Sequence, residues 1–384
     1  MSEIRVRPYV DATDHDAFWH VRAMTYNDGK PVDPEKREIK LAKPFVCERD
    51  GRIEAEYVVL DLTCSRQDAV LPCGGIAAVA VLPEKRVHGI GVEMMRQSLR
   101  LMKEEGKLMA SLYAFRESFY RKVGYEACGK RLKLTVPNAR YPKVRPELEV
   151  RLIRSADRAQ IYGCYEEFCR RRSGLSQRDE LLWNRTTEPD NPSVGIYVAG
   201  DPVEAYAVVD HKMNFWEGFE IDEIVWTTDR GYRSLLSPLV GLGINKTELS
   251  WYEPTDSPFL TRYLDQSVRV QAERAVMWRT LDVPGALRAL RPYSEGEFRL
   301  RVIDDVLPEN EGPWRVRFGP SGVEVDATSQ ADLILDTRQF TQALLGDPSA
   351  MDLARNGILT GPEEDIRALD RLLPASPVYC LDFF

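Results

Sequence analysis

The residues best suited to chemistry form a short turn between a predicted strand and a predicted helix. Arg86, Gly89 and Gly91 follow the spacing R-x-x-G-x-G. The residues before them, 76–82, are apolar and largely β-branched without a helical period, which predicts a buried strand that ends at a proline. After the turn, apolar residues recur at helical spacing over residues 92–102. The turn therefore opens onto the N-terminus of a helix.

Such a turn can bind an anion, and a diphosphate would fit it. Glycines let the backbone approach a ligand closely, and the unpaired N–H groups of the first helical turn point outward. The helix dipole adds partial positive charge at the same place. An ordinary glycine-rich entry to a helix is the alternative, and the motif alone does not separate the two.

A second motif lies downstream. A short apolar strand is predicted at residues 108–113, and the segment FYRKVGY follows at residues 119–125, with Tyr120 and Tyr125 on either side of Gly124. Together with the turn, this segment resembles the GNAT superfamily of acyl-CoA N-acyltransferases. In that superfamily a pyrophosphate-binding turn precedes a segment of this kind at this spacing.

The resemblance implies a site for acetyl-CoA, which serves as acyl donor. The strand would hold the thioester carbonyl and the pantetheine arm through backbone N–H groups, and the turn would hold the pyrophosphate. The matching positions are Val79, Ala80, Val81, Arg86, Val87, His88, Gly89, Ile90, Gly91 and Val92, with Phe115 and Arg116 as weaker matches. Tyr120 matches the proton donor to the departing thiolate; a core aromatic residue is the alternative for it.

Composition limits the class of protein and of partner. The 384 residues include 43% hydrophobic and 29% charged residues, which indicates a folded chain of two or three domains. The formal charge of −8 argues against nucleic acid as the main partner and suits a cationic substrate. We expect no signal peptide and no membrane span, and therefore a cytoplasmic protein.

Cysteine and histidine usage gives no sign of a metal site. The seven cysteines include no C-x-x-C pair, which favours reduced thiols, and the four histidines show no zinc-ligand pattern. We therefore expect no metal cofactor.

The order of predicted elements divides the chain into three domains of α+β class with mixed sheets. The first, residues 1–140, begins with a strand and a helix capped by Thr13 that runs to about Tyr26, and a strand at residues 132–136 completes it. The second, residues 147–282, repeats this order after a proline-rich linker. It reads TTDRGYRSLL at the position of the turn, and because Asp229 replaces the glycines we expect no cofactor there.

Short alternating strands and two helical stretches predict a third domain over residues 283–384. This region resembles the sterol-carrier-protein-like module of one acyltransferase subgroup. The whole order, tandem GNAT-like domains followed by this module, resembles the Eis (enhanced intracellular survival) family. That resemblance implies a homo-oligomer, specifically a hexamer.

The last residues, PASPVYCLDFF, are mostly apolar, which favours a packed tail. In the Eis family the terminal carboxylate enters the acetyltransferase domain as general base, and Phe384 matches that position here. A tail that only docks on its own domain is the alternative. Phe383 stands where some members carry an acidic residue for polyamine substrates. Trp19, Tyr26 and Asp28 are candidates for the acceptor pocket, although core packing is the favoured role for Trp19.

The sequence therefore predicts an acetyl-CoA-dependent N-acetyltransferase that acts on a primary amine by direct attack in a ternary complex. The acceptor would be a small cationic molecule, such as an aminoglycoside, a polyamine or a lysine side chain; the sequence does not select among them. The alternative is a non-catalytic binding protein that uses the lipid-carrier-like module.

Overall fold

A computed structural model describes residues 3–37, 42–211, 217–273 and 276–384. Three units, each with a mixture of helices and strands, follow one another along the chain. The helices and strands of the first unit are β1 Ile4–Pro8, α1 Asp11–Tyr26, β2 Lys43–Arg49, β3 Arg52–Arg66, β4 Ala69–Val81, α2 Ile90–Glu104, β5 Met109–Leu112, α3 Glu117–Tyr120 and β6 Glu126–Ala127.

The second unit contains the segment TTDRGYRSLL, which takes the place of the glycine turn of the first unit. Its helices and strands are β7 Arg131–Pro137, β8 Val150–Ile153, α4 Tyr162–Arg170, α5 Glu180–Thr187, β9 Val194–Ala199, β10 Ala205–Asp210, β11 Phe219–Glu220, β12 Glu223–Trp226, α6 Asp229–Leu242, β13 Glu248–Glu253, α7 Pro258–Arg262, β14 Arg269–Glu273 and β15 Met277–Thr280.

The third unit is smaller. Its helices and strands are α8 Val283–Ala289, β16 Gly296–Ile303, β17 Trp314–Gly319, β18 Gly322–Ala327, β19 Leu333–Asp336, α9 Thr337–Leu345, α10 Ala350–Arg355 and α11 Glu363–Leu372. Among the described residues, no helix is long and apolar enough to cross a membrane.

The first sheet has the strand order β1-β2-β3-β4-β5-β15-β6 and carries a helix on each face. Helix α1 packs on one face, where Val21 contacts Ala80 of β4. Helix α2 packs on the other, through an apolar side that includes Met95 and Leu99. The strand between the two helices is β4, which leads directly into the glycine turn.

Helix α1 begins earlier than predicted. It starts at Asp11 with Val10 as N-cap and without a side-chain cap, so the prediction of Thr13 as the cap is wrong. The carboxylate of Asp14 accepts a hydrogen bond of 2.8 Å from the N–H of Val10. Asp14 lies in the first turn of α1, and its carboxylate binds the N–H of the N-cap residue where a capping hydroxyl was expected.

The first two units exchange strands. Strand β7, which we assigned to the first sheet, pairs instead with β13 and β14 of the second unit. In return β15, which lies beyond the second unit's helices in sequence, pairs with both β5 and β6 of the first sheet. Strand pairing depends on partners distant in sequence, so the local pattern did not reveal this exchange. The domain boundaries near residues 140 and 282 stay predictions.

The third unit is fused to the first through a common apolar core. Its sheet has the order β18-β17-β16-β19. Phe340 and Leu344 of α9 belong to the same buried cluster as Leu62 of β3 and Leu71 of β4. After α11 the chain runs back along the second unit, where Tyr379 donates from its N–H to the carbonyl of Ser173 at 2.8 Å.

Candidate active site

Strand β4 parts from β5 next to the glycine turn. The two strands are parallel and hydrogen-bonded only from Cys73 to Ile76 of β4. Beyond that point β4 contains a bulge, because its two residues 78 and 79 lie opposite a single residue of β3, and Ala78 has a φ of +50°. The pairing of β4 with β5 ends just before this bulge, and we call the unpaired space between residues 77–81 of β4 and the segment after β5 the gap.

The strand residues predicted to hold acetyl-CoA lie just beyond the bulge, where β4 no longer pairs with β5. Val79 and Val81 are half-buried. The hydroxyl of Tyr26 donates to the carbonyl of Val79 at 2.8 Å, and Nε of Arg86 donates to that of Val81 at 3.1 Å. The side chain of Ala80 packs under α1, so Ala80 can contribute only backbone groups.

The glycine turn leaves the N-terminus of α2 open. Gly89 is the N-cap with a φ of +82°, and no side chain caps the helix. A Cβ at Gly89 would meet nothing within 4 Å, whereas one at Gly91 would lie 3.3 Å from the ring of Phe119. Free N–H groups beside an open glycine fit a diphosphate.

The other predicted turn residues divide into exposed and core positions. Arg86, Val87 and His88 are exposed, and Val87 adopts a φ of +61°, which is strained for a β-branched residue. Ile90 is buried in the core beneath α2, and Val92 packs against that core. The side chains of Ile90 and Val92 therefore pack α2 against the sheet and are not available to a ligand.

The segment after β5 presents aromatic rings beside the gap. Phe115 is 72% exposed, and its neighbour Arg116 is also exposed at the start of α3. The ring centroid of Phe115 lies 5.8 Å from that of Phe119 and 5.6 Å from that of Tyr120. Both predicted contacts are accessible to a ligand.

Tyr120 is almost completely buried among aromatic rings. Its ring contacts those of Phe119 and Tyr125 at centroid distances of 4.9 and 6.1 Å. Burial, with a smaller contribution from Tyr26, raises the pKa of the Tyr120 hydroxyl above its usual value. The hydroxyl is therefore protonated at neutral pH and can donate a proton or a hydrogen bond.

The C-terminal residue packs against the first unit. A Cβ added to Gly75 of β4 would lie 3.0 Å from the ring of Phe384, so the glycine allows this close approach. The ring of Tyr113, just after β5, lies 5.3 Å from that of Phe384 and 4.6 Å from that of Phe383. The tail thus ends against the same two strands that part to form the gap.

A buried cluster in the second unit holds the tail, and we call Arg178, Glu223 and Asp382 the tail anchor. Nε of Arg178 lies 2.7 Å from Oδ1 of Asp382, and its Nη atoms lie 2.9 and 2.5 Å from the two oxygens of Glu223. Burial raises the pKa of Asp382, against the opposing charge of Arg178. The sequence analysis did not predict this cluster. The only indication of it in the sequence is that Asp382 is an acidic residue within an otherwise apolar tail.

A second buried carboxylate lies on β3, opposite Ala80. Glu56 is fully buried, and its Oε1 accepts a hydrogen bond of 2.9 Å from Nε of Arg22 on α1. Burial raises the pKa of Glu56 to about 7, although Arg22 opposes the shift. This pair was also missed; two glutamates within the apolar run of β3 are its signal.

A cavity of about 520 Å³ lies where the β3–β4 hairpin meets the second unit. It adjoins the tail anchor, because Arg178 and Tyr165 line it and both contact Asp382. Its lining includes the acidic residues Asp68, Glu166, Asp179 and Glu180, the aromatic residues Tyr162, Tyr165 and Trp183, and the basic residues Arg170 and Arg178.

The helix N-terminus of the second unit differs from that of α2. Thr228 caps α6, since its hydroxyl accepts a hydrogen bond of 3.1 Å from the N–H of Gly231. Asp229 occupies the first helical position and forms ion pairs of 2.9 Å with Arg233 and Arg262. The expectation of no cofactor here stays a prediction. Among the described residues, no group of His, Cys, Asp and Glu side chains could hold a metal ion.

Comparison with known families supports the three-part organisation. Residues 6–128 and 174–288 each match a model described as an acetyltransferase (GNAT) domain, and residues 283–381 match one described as a sterol carrier protein domain. The two GNAT matches together span more than half of the chain. The predicted fold class is confirmed.

Individual proteins give the same picture. An uncharacterized N-acetyltransferase of Streptomyces avermitilis is 28% identical, with 100% of this chain and 99% of that protein covered. N-acetyltransferase Eis of Mycobacterium tuberculosis is 24% identical, with 82% and 81% covered.

Two solved structures have the same fold over the whole of both chains. They are a GCN5-related N-acetyltransferase from Anabaena variabilis, at a TM-score of 0.87 and 18% identity, and Eis1 from Mycobacterium abscessus, at a TM-score of 0.79 and 20% identity.

These matches confirm the prediction of an N-acetyltransferase built on GNAT domains. The chain belongs to the GNAT superfamily of N-acetyltransferases, with the tandem GNAT and sterol carrier protein order of the Eis family.

Proposed function

We propose that this N-acetyltransferase transfers the acetyl group of acetyl-CoA to a primary amine of a small cationic acceptor, such as an aminoglycoside, a polyamine or a lysine side chain. Attack is direct, within a ternary complex. The contact of Phe384 with Gly75 and Tyr113 carries the proposal, because it brings the C-terminus to the strands that form the gap.

The acyl donor binds across the gap. N–H groups at the open N-terminus of α2 hold its diphosphate, and the exposed ring of Phe115 packs against it. Backbone N–H groups of the strand segment 79–81 hold the thioester carbonyl. As negative charge develops on that oxygen in the tetrahedral intermediate, the same donors stabilise it.

The terminal carboxylate of Phe384 takes the proton of the amine. A primary amine has a pKa of roughly 10.4, so it must lose a proton before its lone pair can attack the carbonyl carbon. A free α-carboxyl has a pKa of about 3.3 to 3.7, so a water relay or partial burial assists the transfer. The negative charge also attracts the ammonium form of the acceptor.

The attacking nitrogen becomes positively charged in the intermediate and releases its second proton to solvent, and Tyr120 supplies the proton that the leaving group needs. When the intermediate collapses, the carbon–sulfur bond breaks and CoA leaves as a thiolate. The Tyr120 hydroxyl donates its proton to that sulfur and recovers one from solvent. The raised pKa of Tyr120 keeps this proton in place until the thiolate forms.

The acidic balance of the chain supports a cationic acceptor. The formal charge of −8 favours the approach of a cation.

The test compares the intact chain with one extended by Gly-Ser beyond Phe384, which moves the carboxylate. We expect kcat with an accepted amine to fall by about 10²- to 10⁴-fold, the usual contribution of a general base, while the KM for acetyl-CoA stays constant. CoA release is followed with aminoglycosides, polyamines and lysine peptides.

Phe384→Leu is the matched control, because it changes the side chain and keeps the terminal carboxylate. It should retain most of the activity. Equal turnover by the intact and extended chains would show that the terminal carboxylate is not the base.

A further inference from the structure

A buried arginine of the second GNAT unit forms an ion pair with the tail close to its end. The side chain of Arg178 is 1% exposed, and that of its partner Asp382 is 3% exposed. The two residues are 204 positions apart in the chain. We propose that Arg178 is a positioning residue that fixes the C-terminal carboxylate in the gap, and that this is the role of the second GNAT unit. The inference rests on the proposed function of that carboxylate.

Arg178 is itself held rigidly. Its Nη atoms form a forked pair with Glu223 of β12, whose Oε1 also accepts a hydrogen bond of 2.6 Å from the hydroxyl of Tyr206. The guanidinium lies 4.3 Å from the ring centroid of Tyr165 and 5.0 Å from that of Trp183. Both Nη atoms donate to Glu223 of β12, and the flat face of the guanidinium packs on two aromatic rings. The guanidinium is therefore fixed in an orientation in which Nε–H points toward Asp382.

Asp382 is held from two sides. Its carboxylate contacts Arg178 of the second unit, and its backbone carbonyl accepts a hydrogen bond of 2.9 Å from the hydroxyl of Tyr113 of the first unit. Phe383, the next residue, is 73% exposed. Two residues span at most about 7 Å, so a fixed Asp382 confines the terminal carboxylate to a small volume.

The upstream part of the tail cannot do the same. Ser173 pairs with the backbone on both sides of Val378, through its N–H to Pro377 and its carbonyl from Tyr379. That pairing ends before Cys380, so it does not by itself fix Asp382 or the two residues after it. A displacement of about 1 Å at a reacting group is enough to cost about 10²-fold in rate.

The test is a double-mutant cycle between Arg178→Met and the Gly-Ser extension beyond Phe384. We expect Arg178→Met to lower kcat by about 10- to 100-fold, with the KM for acetyl-CoA changed less than about 2-fold. We expect the doubly altered chain to be no slower than the extended chain alone, because both changes act on the same carboxylate.

Arg172→Met is the matched control. Arg172 is also buried in the second unit, paired with Asp256 at 2.8 Å and packed 3.8 Å from the ring centroid of Phe168, but its pair does not include a tail residue. Its loss should lower the Tm and leave kcat unchanged. If Arg178→Met does not fold, Asp382→Asn enters the same cycle, since it keeps the side-chain volume and removes the charge that Arg178 holds.

The outcomes separate the two proposals. If the extension has no effect, the terminal carboxylate is not the base and the proposed function fails with it. If the extension is inactive but Arg178→Met and Asp382→Asn retain full kcat, the function stands and the positioning role is wrong. The positioning role would also be wrong if the fold-losses in kcat of the two single changes multiplied in the doubly altered chain. Arg178 would then affect the rate independently of the terminal carboxylate.

Discussion

The two GNAT units begin their central helices in opposite ways. Helix α2 starts at an uncapped glycine with open space beside it, whereas α6 starts at Thr228, whose hydroxyl already satisfies the helix, and carries Asp229 in its first turn. The difference extends to the tyrosines nearby. The Tyr120 hydroxyl has no hydrogen-bond partner among the described residues, while that of Tyr232 donates to Glu253 at 2.6 Å.

This contrast indicates how one fold serves two purposes. Polar groups left unsatisfied in the first unit are available to a substrate, while the corresponding groups of the second unit stabilise its own structure. A unit whose polar groups are satisfied internally can still act on the reaction by holding another segment. The following predictions test that division, beginning with the largest effect.

Tyr120→Phe and Tyr232→Phe should have opposite consequences. The first should lower kcat by about 10²-fold and leave the Tm nearly unchanged, because the lost hydroxyl serves only the reaction. The second should leave kcat unchanged and cost about 1–3 kcal/mol of stability, because Glu253 loses a buried donor. Steady-state kinetics and thermal unfolding measure both effects. A Tyr120→Phe enzyme with full kcat would show that Tyr120 is not the general acid.

Glu253 should make stability depend on pH. Burial raises its pKa to about 7, and its hydrogen bonds from Ser257, Tyr232 and Trp251 oppose the shift only in part. The unfolded value is about 4.3, so the native state binds the extra proton between these values. Stability contributed by this proton is present below pH 4 and is lost as the pH rises toward and through 7, by on the order of 3–4 kcal/mol.

Glu253→Gln should reduce that loss, as measured by the Tm at pH 5 and at pH 8. Glu56 has the same sign of dependence, so the relevant quantity is the difference between the variant and the intact protein. Glu220→Gln is the control, because Glu220 is about half exposed in its pair with Lys133. An unchanged slope in Glu253→Gln would mean that this carboxyl is ionised in the native state.

Val87→Asp should separate ligand binding from stability. A negative charge in the turn repels the diphosphate, so the KM for acetyl-CoA should rise by about 5- to 10-fold, the size of one charge at a helix terminus. The Tm should not fall, because Asp tolerates the left-handed backbone better than a β-branched residue does. Val87→Asn shares the backbone preference without the charge and should keep the KM; equal KM values for the two variants would contradict the diphosphate assignment.

The parts of the site that are contiguous in sequence were the predictable ones. The turn from Arg86 to Gly91 and the tyrosine of FYRKVGY can be recognised in the sequence. Each motif contains glycines that allow an unusual backbone conformation, at a fixed spacing from the other motif residues. The packed tail was legible for a similar reason, since consecutive aromatic residues are rare in a free terminus. The predicted strand at residues 108–113 matches β5 for the same local reason.

What escaped prediction depends on distant partners. The bulge at Ala78 arises from the register of β3 against β4, and nothing in the run IAAVAV marks it. Arg178 resembles any other arginine until Asp382 is brought to it by the fold. Glu56 reads as an exposed strand residue until α1 covers it. In each case a tertiary contact decides the outcome.

The strand exchange has a consequence for how the chain folds during synthesis. Strand β15 pairs with both β5 and β6, so the sheet that carries the acetyl-CoA turn is incomplete until Thr280 has left the ribosome. At roughly 5–20 residues per second, the nascent first unit waits several seconds or longer with two strand edges open. It cannot finish as an independent module, and a gene truncated after the first unit would yield a sheet with a missing strand.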